Sequence, residues 1–277
     1  EMRVLVTGGN QGIGFALCKQ LAIEKNCHVY LTARTPEKGI AAVSEINDII
    51  SKTPSCSGSV EFIPLDTSSD ESVAAAAQEA RSKLAGKEKL YGIVNNAGIG
   101  LNTGNTGDLL NTNLYGPKRV CEQFLDLLDE KNGRIVNLGS GAGPNHVSGC
   151  SLEDKKVLCS PDTVTWEYIE KHAKENLHGS NAYGLSKSLL ACYTGLFARE
   201  HPNILTSCVT PGFIQTQMTD GYGASKTPEE GTLPIKHCLF EELAGNGLYY
   251  GSDAVRSPYH FMRSPGEPAY DGVNPFL

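Results

Sequence analysis

Short apolar runs alternate with longer amphipathic stretches along most of the chain. The runs are nearly continuous in apolar residues, which is typical of strands that are buried on both faces. They predict strands over residues 3–7, 27–32, 60–65, 90–95, 134–138 and 204–209, and a short one over 248–250. The amphipathic stretches have helical periodicity and predict helices over residues 13–25, 36–50, 71–84, 112–128 and 183–199.

Strands that alternate with helices of this length require crossover connections, and therefore run parallel. The pattern predicts an α/β fold, a single doubly wound Rossmann domain over residues 1–277 with a parallel sheet of about seven strands. Ligands of such sheets bind beyond the carboxyl ends of the strands. The residues that follow each strand are therefore the candidates for chemistry.

A glycine-rich loop follows the first predicted strand, with the sequence Thr7-Gly8-Gly9-Asn10-Gln11-Gly12-Ile13-Gly14. Its glycines permit a tight turn and a close approach of the backbone to a pyrophosphate, and the next helix offers free N–H groups. The spacing differs from the common G-x-G-x-x-G, and a simple glycine-rich turn is the alternative. We assign to cofactor binding Gly8, Asn10, Gln11, Gly12, Ile13 and Gly14.

Polar residues also follow the next three strands. Arg34 stands where NAD-specific sites have an acid, and it can pair with a 2′-phosphate, which favours NADP (NADPH). The alternative is a surface arginine at a strand end. Asp66-Thr67 can contact adenine, or Asp66 can cap the helix near Glu71 in competition with Ser68 and Asp70. After the fourth strand, the cofactor candidates are Asn95, Ala97 and Gly98.

The candidate catalytic residues lie later in the chain. Ser140 follows the fifth strand, while Tyr183 and Lys187 are four residues apart on one helix and share a face. Reduction of a carbonyl needs a proton donor, and a free tyrosine has a pKa of about 10. A neighbouring ammonium lowers that pKa, so we expect Lys187 to tune Tyr183 as a general acid. Ser140 would orient the substrate.

The Y-x-x-x-K pattern alone is weak evidence, but the order of the motifs is specific. The glycine loop, the Asn-Asn-Ala-Gly turn, Ser140 and Tyr183-x-x-x-Lys187 follow one another as in the short-chain dehydrogenase/reductase family, which this chain resembles over residues 3–250. The resemblance implies that Asn113 supports a proton relay and that Lys187 and Tyr183 also contact the nicotinamide side. It further implies cofactor contacts from Pro211, Gly212, Phe213 and Thr216.

One detail resembles the monomeric NADPH-dependent carbonyl reductase branch. Tyr183 follows Ser140 by 43 positions, a longer gap than in most of the family, so we predict a helical insertion at about 144–180. Residues 161–176 read as its helix, with Trp166 packing it onto the body. Such insertions cover the face that other members use for tetramers, which implies a monomer.

Gln11 departs from the lysine that is frequent in this branch. Residues 99–112 form a short segment rich in Gly, Asn and Thr, which predicts a shortened helix. A shorter helix there would leave one side of the pocket more open.

Composition excludes several classes of function. The net charge is −7, which argues against binding of nucleic acid, and the apolar runs are shorter than the ~18 residues that indicate a membrane span. Nine cysteines without a C-x-x-C pair predict reduced thiols, and no signal-peptide pattern is seen, so the expected location is cytoplasmic. The seven histidines lack metal-ligand spacing, and we predict no metal.

We therefore expect an NADPH-dependent reductase of aldehydes, ketones or quinones. Substrate contacts are assigned to Ser140, Tyr183 and Phe213, although Phe213 is as well explained as a core aromatic. One alternative is a dedicated alcohol dehydrogenase or ketoreductase of steroid, prostaglandin or pterin type. Another is a non-catalytic NADP-binding sensor, which the presence of both Tyr183 and Lys187 disfavours.

Overall fold

The structure, a computed structural model, describes residues 1–100 and 105–277. In these residues seven strands form one parallel sheet in the order β3-β2-β1-β4-β5-β6-β7. The strands are β1 (Arg3–Val6), β2 (His28–Ala33), β3 (Ser59–Pro64), β4 (Gly92–Asn95), β5 (Arg134–Leu138), β6 (Leu205–Val209) and β7 (Leu248–Tyr250). The order reverses between β1 and β4, so the predicted doubly wound Rossmann fold is confirmed.

The sheet is buried on both faces because its central strands carry apolar residues at successive positions. Leu5 and Ile93 belong to the apolar cluster on one face, whereas Val4, Val6 and Val94 belong to the cluster on the other. Successive side chains of a strand point to opposite faces, so a continuous apolar run supplies both clusters. This is why the strands of this chain do not alternate between polar and apolar residues.

Helices cover the two faces. In chain order they are α1 (Gly12–Lys25), α2 (Pro36–Ser51), α3 (Asp70–Leu84), α4 (Thr106–Leu110), α5 (Gly116–Phe124), α6 (Ala142–Ser148), α7 (Leu152–Leu158), α8 (Trp166–Glu175), α9 (Ala182–Glu200), α10 (Pro228–Gly231) and α11 (Leu233–Phe240). Short 3-10 turns lie at Leu125–Leu127 and Gln217–Thr219. Ser69 caps α3 by accepting from the Ser72 N–H at 3.2 Å, so neither Ser68 nor Asp70 is the cap.

The helix predicted over 112–128 is interrupted. Between α4 and α5 the backbone forms a π-helical turn at Asn111–Tyr115, and the end of the stretch is a 3-10 turn. Turns of the π type inside α-helices are frequent at functional sites. The trimmed helix predicted over 99–112 falls partly on residues 101–104, which lie outside the described residues; α4 begins after them.

The insertion contains three helices rather than one. The predicted helix over 161–176 begins only at Trp166, because the Thr165 hydroxyl caps it by accepting from the Tyr168 N–H at 3.2 Å. Helices α6 and α7, with seven residues each, are too short for hydrophobic periodicity to reveal them. Trp166 packs as predicted: its ring lies 5.8 Å from that of Tyr115 and 6.0 Å from that of Tyr193 in α9.

Two further observations concern the cysteines and the length of the helices. The nine cysteines are all free thiols, and seven of them are buried. None of the helices among the described residues has the length and apolar character required to cross a bilayer.

Candidate active site

The glycine loop (residues 8–14) joins β1 to α1 at the carboxyl edge of the sheet. Gly8 and Gly12 have φ values of +64° and +54°, in the left-handed region that favours glycine. At Gly14 the constraint is contact: a Cβ there would lie 2.3 Å from the Gly8 carbonyl oxygen. The loop therefore folds back tightly against the first turn of α1.

The start of α1 fits a bound anion. Gln11 occupies the N-cap but makes no side-chain capping bond, and the first turn contains no acidic residue. The first N–H groups of a helix lack intrahelical partners and carry partial positive charge. The residues present thus fit the pyrophosphate of a dinucleotide, because the first N–H groups of α1 are free to donate and the glycines let the backbone come close to the phosphates.

The chain that follows β4 holds the glycine loop in place. The Asn96 side chain donates to the carbonyl oxygens of Thr7 at 2.9 Å and of Gly8 at 3.0 Å, and the Ala97 N–H donates to the Thr7 hydroxyl at 3.0 Å. Asn95, which was assigned to the cofactor, is buried and donates to Asn137 at 2.8 Å. Adjacent residues point in opposite directions, so Asn96 rather than Asn95 faces the loop.

The ends of β2 and β3 carry the other predicted cofactor residues. Arg34 is exposed and makes no hydrogen bond or ion pair with the described residues, so its guanidinium is available to a ligand. Asp66 accepts from the Ser68 hydroxyl at 2.6 Å and from its N–H at 3.0 Å. Thr67 is buried against Gly116, where an added Cβ would lie 3.1 Å from the Thr67 hydroxyl.

A cavity of about 600 Å³ opens at the carboxyl ends of β1, β4, β5 and β6. It brings together twelve of the predicted site residues, namely Gln11, Gly12, Ile13, Ala97, Gly98, Ser140, Tyr183, Lys187, Pro211, Gly212, Phe213 and Thr216. The other predicted residues do not line it, namely Gly8, Asn10, Gly14, Arg34, Asp66, Thr67, Asn95 and Asn113. Most of these shape the glycine loop or follow the neighbouring strands.

Tyr183 and Lys187 project from the first turns of α9. Asn181 caps this helix by accepting from the Gly184 N–H at 3.0 Å, which sets where the two side chains leave the backbone. The Lys187 Nζ lies 5.8 Å from the centre of the Tyr183 ring and donates to the Leu138 carbonyl oxygen at 2.7 Å. Burial lowers the pKa of Lys187 to about 8, against a small opposing effect of Cys208.

The pKa of Tyr183 departs from the sequence-based expectation. Burial raises it above its ordinary value, and the influence that lowers it is a hydrogen bond with the Ser140 side chain, not the charge of Lys187. Lys187, whose ammonium is turned toward Leu138, is not among the groups that shift this pKa, so its tuning of Tyr183 stays a prediction. A raised pKa keeps the phenol protonated near neutrality, as a proton donor requires.

Asn113 lies behind the cavity, in the π-helical turn. Its side chain pairs with the backbone of Ile99, accepting from the N–H at 2.9 Å and donating to the carbonyl at 3.0 Å, and also donates to Ser186 at 3.1 Å. A Cβ at Gly98 would lie 3.1 Å from the Asn113 Oδ1 and 3.6 Å from the Lys187 Nζ. Asn113 thus holds the chain after β4 close to Lys187.

The outer wall of the cavity (Phe213, Met218 and Tyr222) is apolar and open. Phe213 is 49% exposed, which excludes the core-aromatic alternative, and Met218 is 40% exposed. The Met218 sulfur lies 4.0 Å from the Tyr183 hydroxyl. Sequence reasoning missed Met218, because a lone methionine in a loop carries no motif. On the inner side, Thr216 lies over the glycine loop, where a Cβ at Gly12 would be 3.2 Å from its methyl group.

One further cluster lies outside the cavity. His146, Cys150 and His172 place one donor atom each within 4.8 Å of the others. The prediction of no metal rested on spacing along the chain, and the fold brings together residues that this spacing did not connect.

Comparisons with known proteins bear on the family of this chain. The family profile of the short chain dehydrogenases matches residues 2–152. The (+)-neomenthol dehydrogenase of Arabidopsis thaliana is 30% identical over 91% of this chain and 96% of its own, and the NADPH carbonyl reductase 1 of Bos taurus is 31% identical over 82% and 86%.

Among solved structures, the salutaridine reductase of Papaver somniferum superposes with a TM-score of 0.75. It is 27% identical in sequence, covering 90% of this chain and 99% of its own. The family profile spans more than half of the chain and the relatives span nearly all of it. The chain therefore belongs to the short-chain dehydrogenase/reductase family.

Proposed function

We propose that this chain is an NADPH-dependent carbonyl reductase that acts on aldehydes, ketones or quinones. The observation that carries the proposal is that the side chains of Ser140, Tyr183 and Lys187 line one cavity, which also contains part of the glycine loop. The names of the similar proteins support the same chemistry, since the bovine relative is named for NADPH and a carbonyl group.

The roles of the three residues follow from their protonation. A reduced nicotinamide, when bound in the cavity, would supply the hydride for the carbonyl carbon. Tyr183 donates its phenolic proton to the carbonyl oxygen as negative charge develops there. Ser140 donates a hydrogen bond to that same oxygen and keeps it within reach of the phenol.

Lys187 acts beside this pair. Its pKa of about 8 leaves most molecules with a charged ammonium at neutral pH. That charge stabilises the phenolate that Tyr183 becomes after it gives up its proton. We assign to the same ammonium a contact with the nicotinamide ribose. Asn113 positions the chain after β4 for this arrangement, through its two hydrogen bonds with Ile99.

The cofactor contacts divide along the cavity. We assign the pyrophosphate to the loop of Gly8, Asn10, Gln11, Gly12, Ile13 and Gly14, the adenine side to Asp66 and Thr67, and the nicotinamide side to Ala97, Gly98, Pro211, Gly212, Phe213 and Thr216. Arg34 pairs with the 2′-phosphate; its exposure and the lack of an acid before Glu37 support this role. Asn96 takes the place of Asn95 as the asparagine that serves the loop.

The mechanism is tested by oxidation of NADPH against a panel of aldehydes, ketones and quinones. Tyr183→Phe should lower kcat by about 10²- to 10⁴-fold while the Kd for NADPH stays within threefold or so, because only the proton donor is removed. Tyr193→Phe, on the same helix but outside the cavity, is the matched control. Equal turnover by wild type and Tyr183→Phe would overturn the mechanism.

The same panel distinguishes a dedicated enzyme from a broad one. The open, apolar outer wall favours a range of apolar carbonyl substrates. If one steroid, prostaglandin or pterin substrate, or oxidation of one alcohol, exceeded all other rates by orders of magnitude, the dedicated dehydrogenase would be the better description. Tight NADPH binding without turnover of any substrate would instead favour a sensor.

We further propose that the protein is a monomer in the cytoplasm. Helix α8 packs through Trp166 against Tyr193 of α9 and against Tyr115, and so covers a face that would otherwise be open to another subunit. Nine free thiols support a reducing compartment. Sedimentation at micromolar concentration should give the mass of one chain; a stable tetramer would contradict the monomer.

A further inference from the structure

Two histidines and one cysteine, whose side chains can act as metal ligands, lie close together in the insertion and away from the cavity. His146 lies in the last turn of α6, Cys150 follows four residues later, and His172 lies in α8. One ring nitrogen of each histidine and the Cys150 sulfur lie within 4.8 Å of one another. Donor atoms that share one metal at 2.0–2.3 Å lie roughly 3–4 Å apart, so small side-chain rotations close the set.

His172 is the most constrained of the three. It is only 4% exposed, and its Nε2 is buried without a hydrogen-bond partner among the described residues. Its other nitrogen, Nδ1, lies 3.4 Å from an oxygen of Asp154. An imidazole whose Nδ1–H is directed to a carboxylate presents the Nε2 lone pair outward, as metal-binding histidines do.

The Asp154 carboxylate is itself fixed by two hydroxyl groups. It accepts hydrogen bonds from the Ser151 hydroxyl at 2.6 Å and from the Tyr168 hydroxyl at 2.8 Å. The Asp154 carboxylate, fixed by these two hydroxyl groups, orients the ring of His172.

His146 repeats the unusual feature of His172. Its Nε2 is also buried without a partner among the described residues. A buried polar nitrogen without a hydrogen bond is destabilising, and two such nitrogens in one cluster indicate a ligand that accepts their lone pairs.

We propose that His146, Cys150 and His172 bind one Zn²⁺ ion. Imidazole nitrogens and thiolate sulfurs are both common ligands of Zn²⁺, and three protein ligands leave a fourth position for water. His146 and Cys150 are half-buried, so the ion can enter from solvent and a water ligand fits on the open side. The Cys150 thiol, which donates to the His146 carbonyl at 3.4 Å, gives up its proton to the solvent on binding.

Such an ion joins two parts of the insertion that are distant in sequence. Helix α6 begins at Ala142, two residues after Ser140, whereas α8 packs on α9 through Trp166. Zinc would fasten the end of α6 to α8. The expected consequence is a more stable insertion, because an ion that binds only the folded chain stabilises it by mass action.

The test uses the full chain without an affinity tag, freed of metal by a chelator and then titrated with Zn²⁺ against a chromophoric competitor. Wild type should bind one ion per chain, and Co²⁺ in its place should give a thiolate-to-metal charge-transfer band. His146→Asn, Cys150→Ser and His172→Asn should each weaken zinc binding by at least about 100-fold and remove the band. Asp154→Asn should weaken it by about 10- to 100-fold.

Matched controls are His178→Asn, an exposed histidine in the same segment, and Cys56→Ser, a half-buried thiol elsewhere. Both should bind zinc like wild type. Should buried His172→Asn fail to fold by circular dichroism, the half-buried His146→Asn gives the same answer. Failure of wild type to bind stoichiometric zinc, or binding that the three ligand variants leave unchanged, would overturn the site.

A second readout is thermal. Zinc should raise the Tm of wild type and of both controls, and should leave the Tm of the three ligand variants where it is without metal. An equal rise in the variants would mean that zinc acts elsewhere on the chain, against the proposal.

Discussion

The glycine loop and the outer wall enclose the same cavity, but the chain holds them in different ways. The glycine loop is fixed by a neighbouring strand end, through the hydrogen bonds of Asn96 to Thr7 and Gly8. The outer wall belongs to one loop whose backbone bonds are internal, such as that from Gln215 to Lys226 at 2.8 Å. Phe213 and Met218 in that wall are 49% and 40% exposed.

This difference separates two kinds of recognition. A loop that is held by the sheet can meet the invariant shape of a dinucleotide, and small changes in it are costly. A wall of half-exposed apolar side chains tolerates substitution, so it can be altered for another substrate while the cofactor side stays the same. The following substitutions test that contrast, beginning with the largest expected effect.

Gly14→Ala should be the most damaging change on the cofactor side. The new Cβ would lie 2.3 Å from the Gly8 carbonyl oxygen. Relief of this clash requires movement of the backbone, either at Gly8 or in the first turn of α1. We expect the Kd for NADPH to rise by roughly 100-fold or more, and the free energy of unfolding to fall by about 1–3 kcal/mol. Isothermal titration and chemical denaturation measure these two quantities.

Gly245→Ala serves as its control, because a Cβ at that position meets Leu248 only at an ordinary 3.4 Å. If Gly14→Ala bound NADPH as tightly as the control variant, the loop would be less rigid than its contacts indicate.

Arg34→Ala should separate the two nicotinamide cofactors. Loss of a charge-assisted bond costs about 1.5–3 kcal/mol, which is about 10- to 150-fold in the Kd for NADPH, and NADH should be almost unaffected. Lys52→Ala, an exposed cation at the end of α2, is the control. Equal weakening for both cofactors would refute the 2′-phosphate contact.

The pH profile tests the acid–base centre. The pKa of Lys187 is lowered to about 8, so its ammonium is lost as pH rises through that value, whereas the raised pKa of Tyr183 keeps the phenol protonated. For reduction, kcat/KM should therefore be flat below pH 7 and fall toward about tenfold per unit above pH 8. A profile without a break until the pKa of a free lysine would contradict this account.

The outer wall should give the smallest effect. Met218→Ala should raise KM for an apolar ketone by roughly three- to tenfold, because a half-exposed side chain contributes only part of its burial energy, and should leave NADPH binding unchanged. Leu233→Ala, also a half-exposed apolar residue (51%) but outside the cavity, is the control. A large loss of NADPH affinity in Met218→Ala would break the distinction between the two sides.

Much of this protein could be predicted from local pattern. Apolar runs gave the strands, and their alternation with helices gave a doubly wound sheet, because burial on both faces leaves a clear mark in sequence. The glycine loop was found in the same way, because one tight turn relates its residues. Tyr183 and Lys187 share a helix face, but the order of the motifs along the chain is what made the pair specific. Short helices such as α6 and α7 left too few residues for a period to be seen.

Tertiary structure alone decided the contacts between distant segments. It chose Asn96 over Asn95 for the loop, turned the Lys187 ammonium toward Leu138, and brought Met218 to the Tyr183 hydroxyl. It also set His172 beside His146 and Cys150, which no spacing rule relates. Periodicity records which face a residue occupies within its own element, whereas the distance between side chains of different elements depends on how those elements pack.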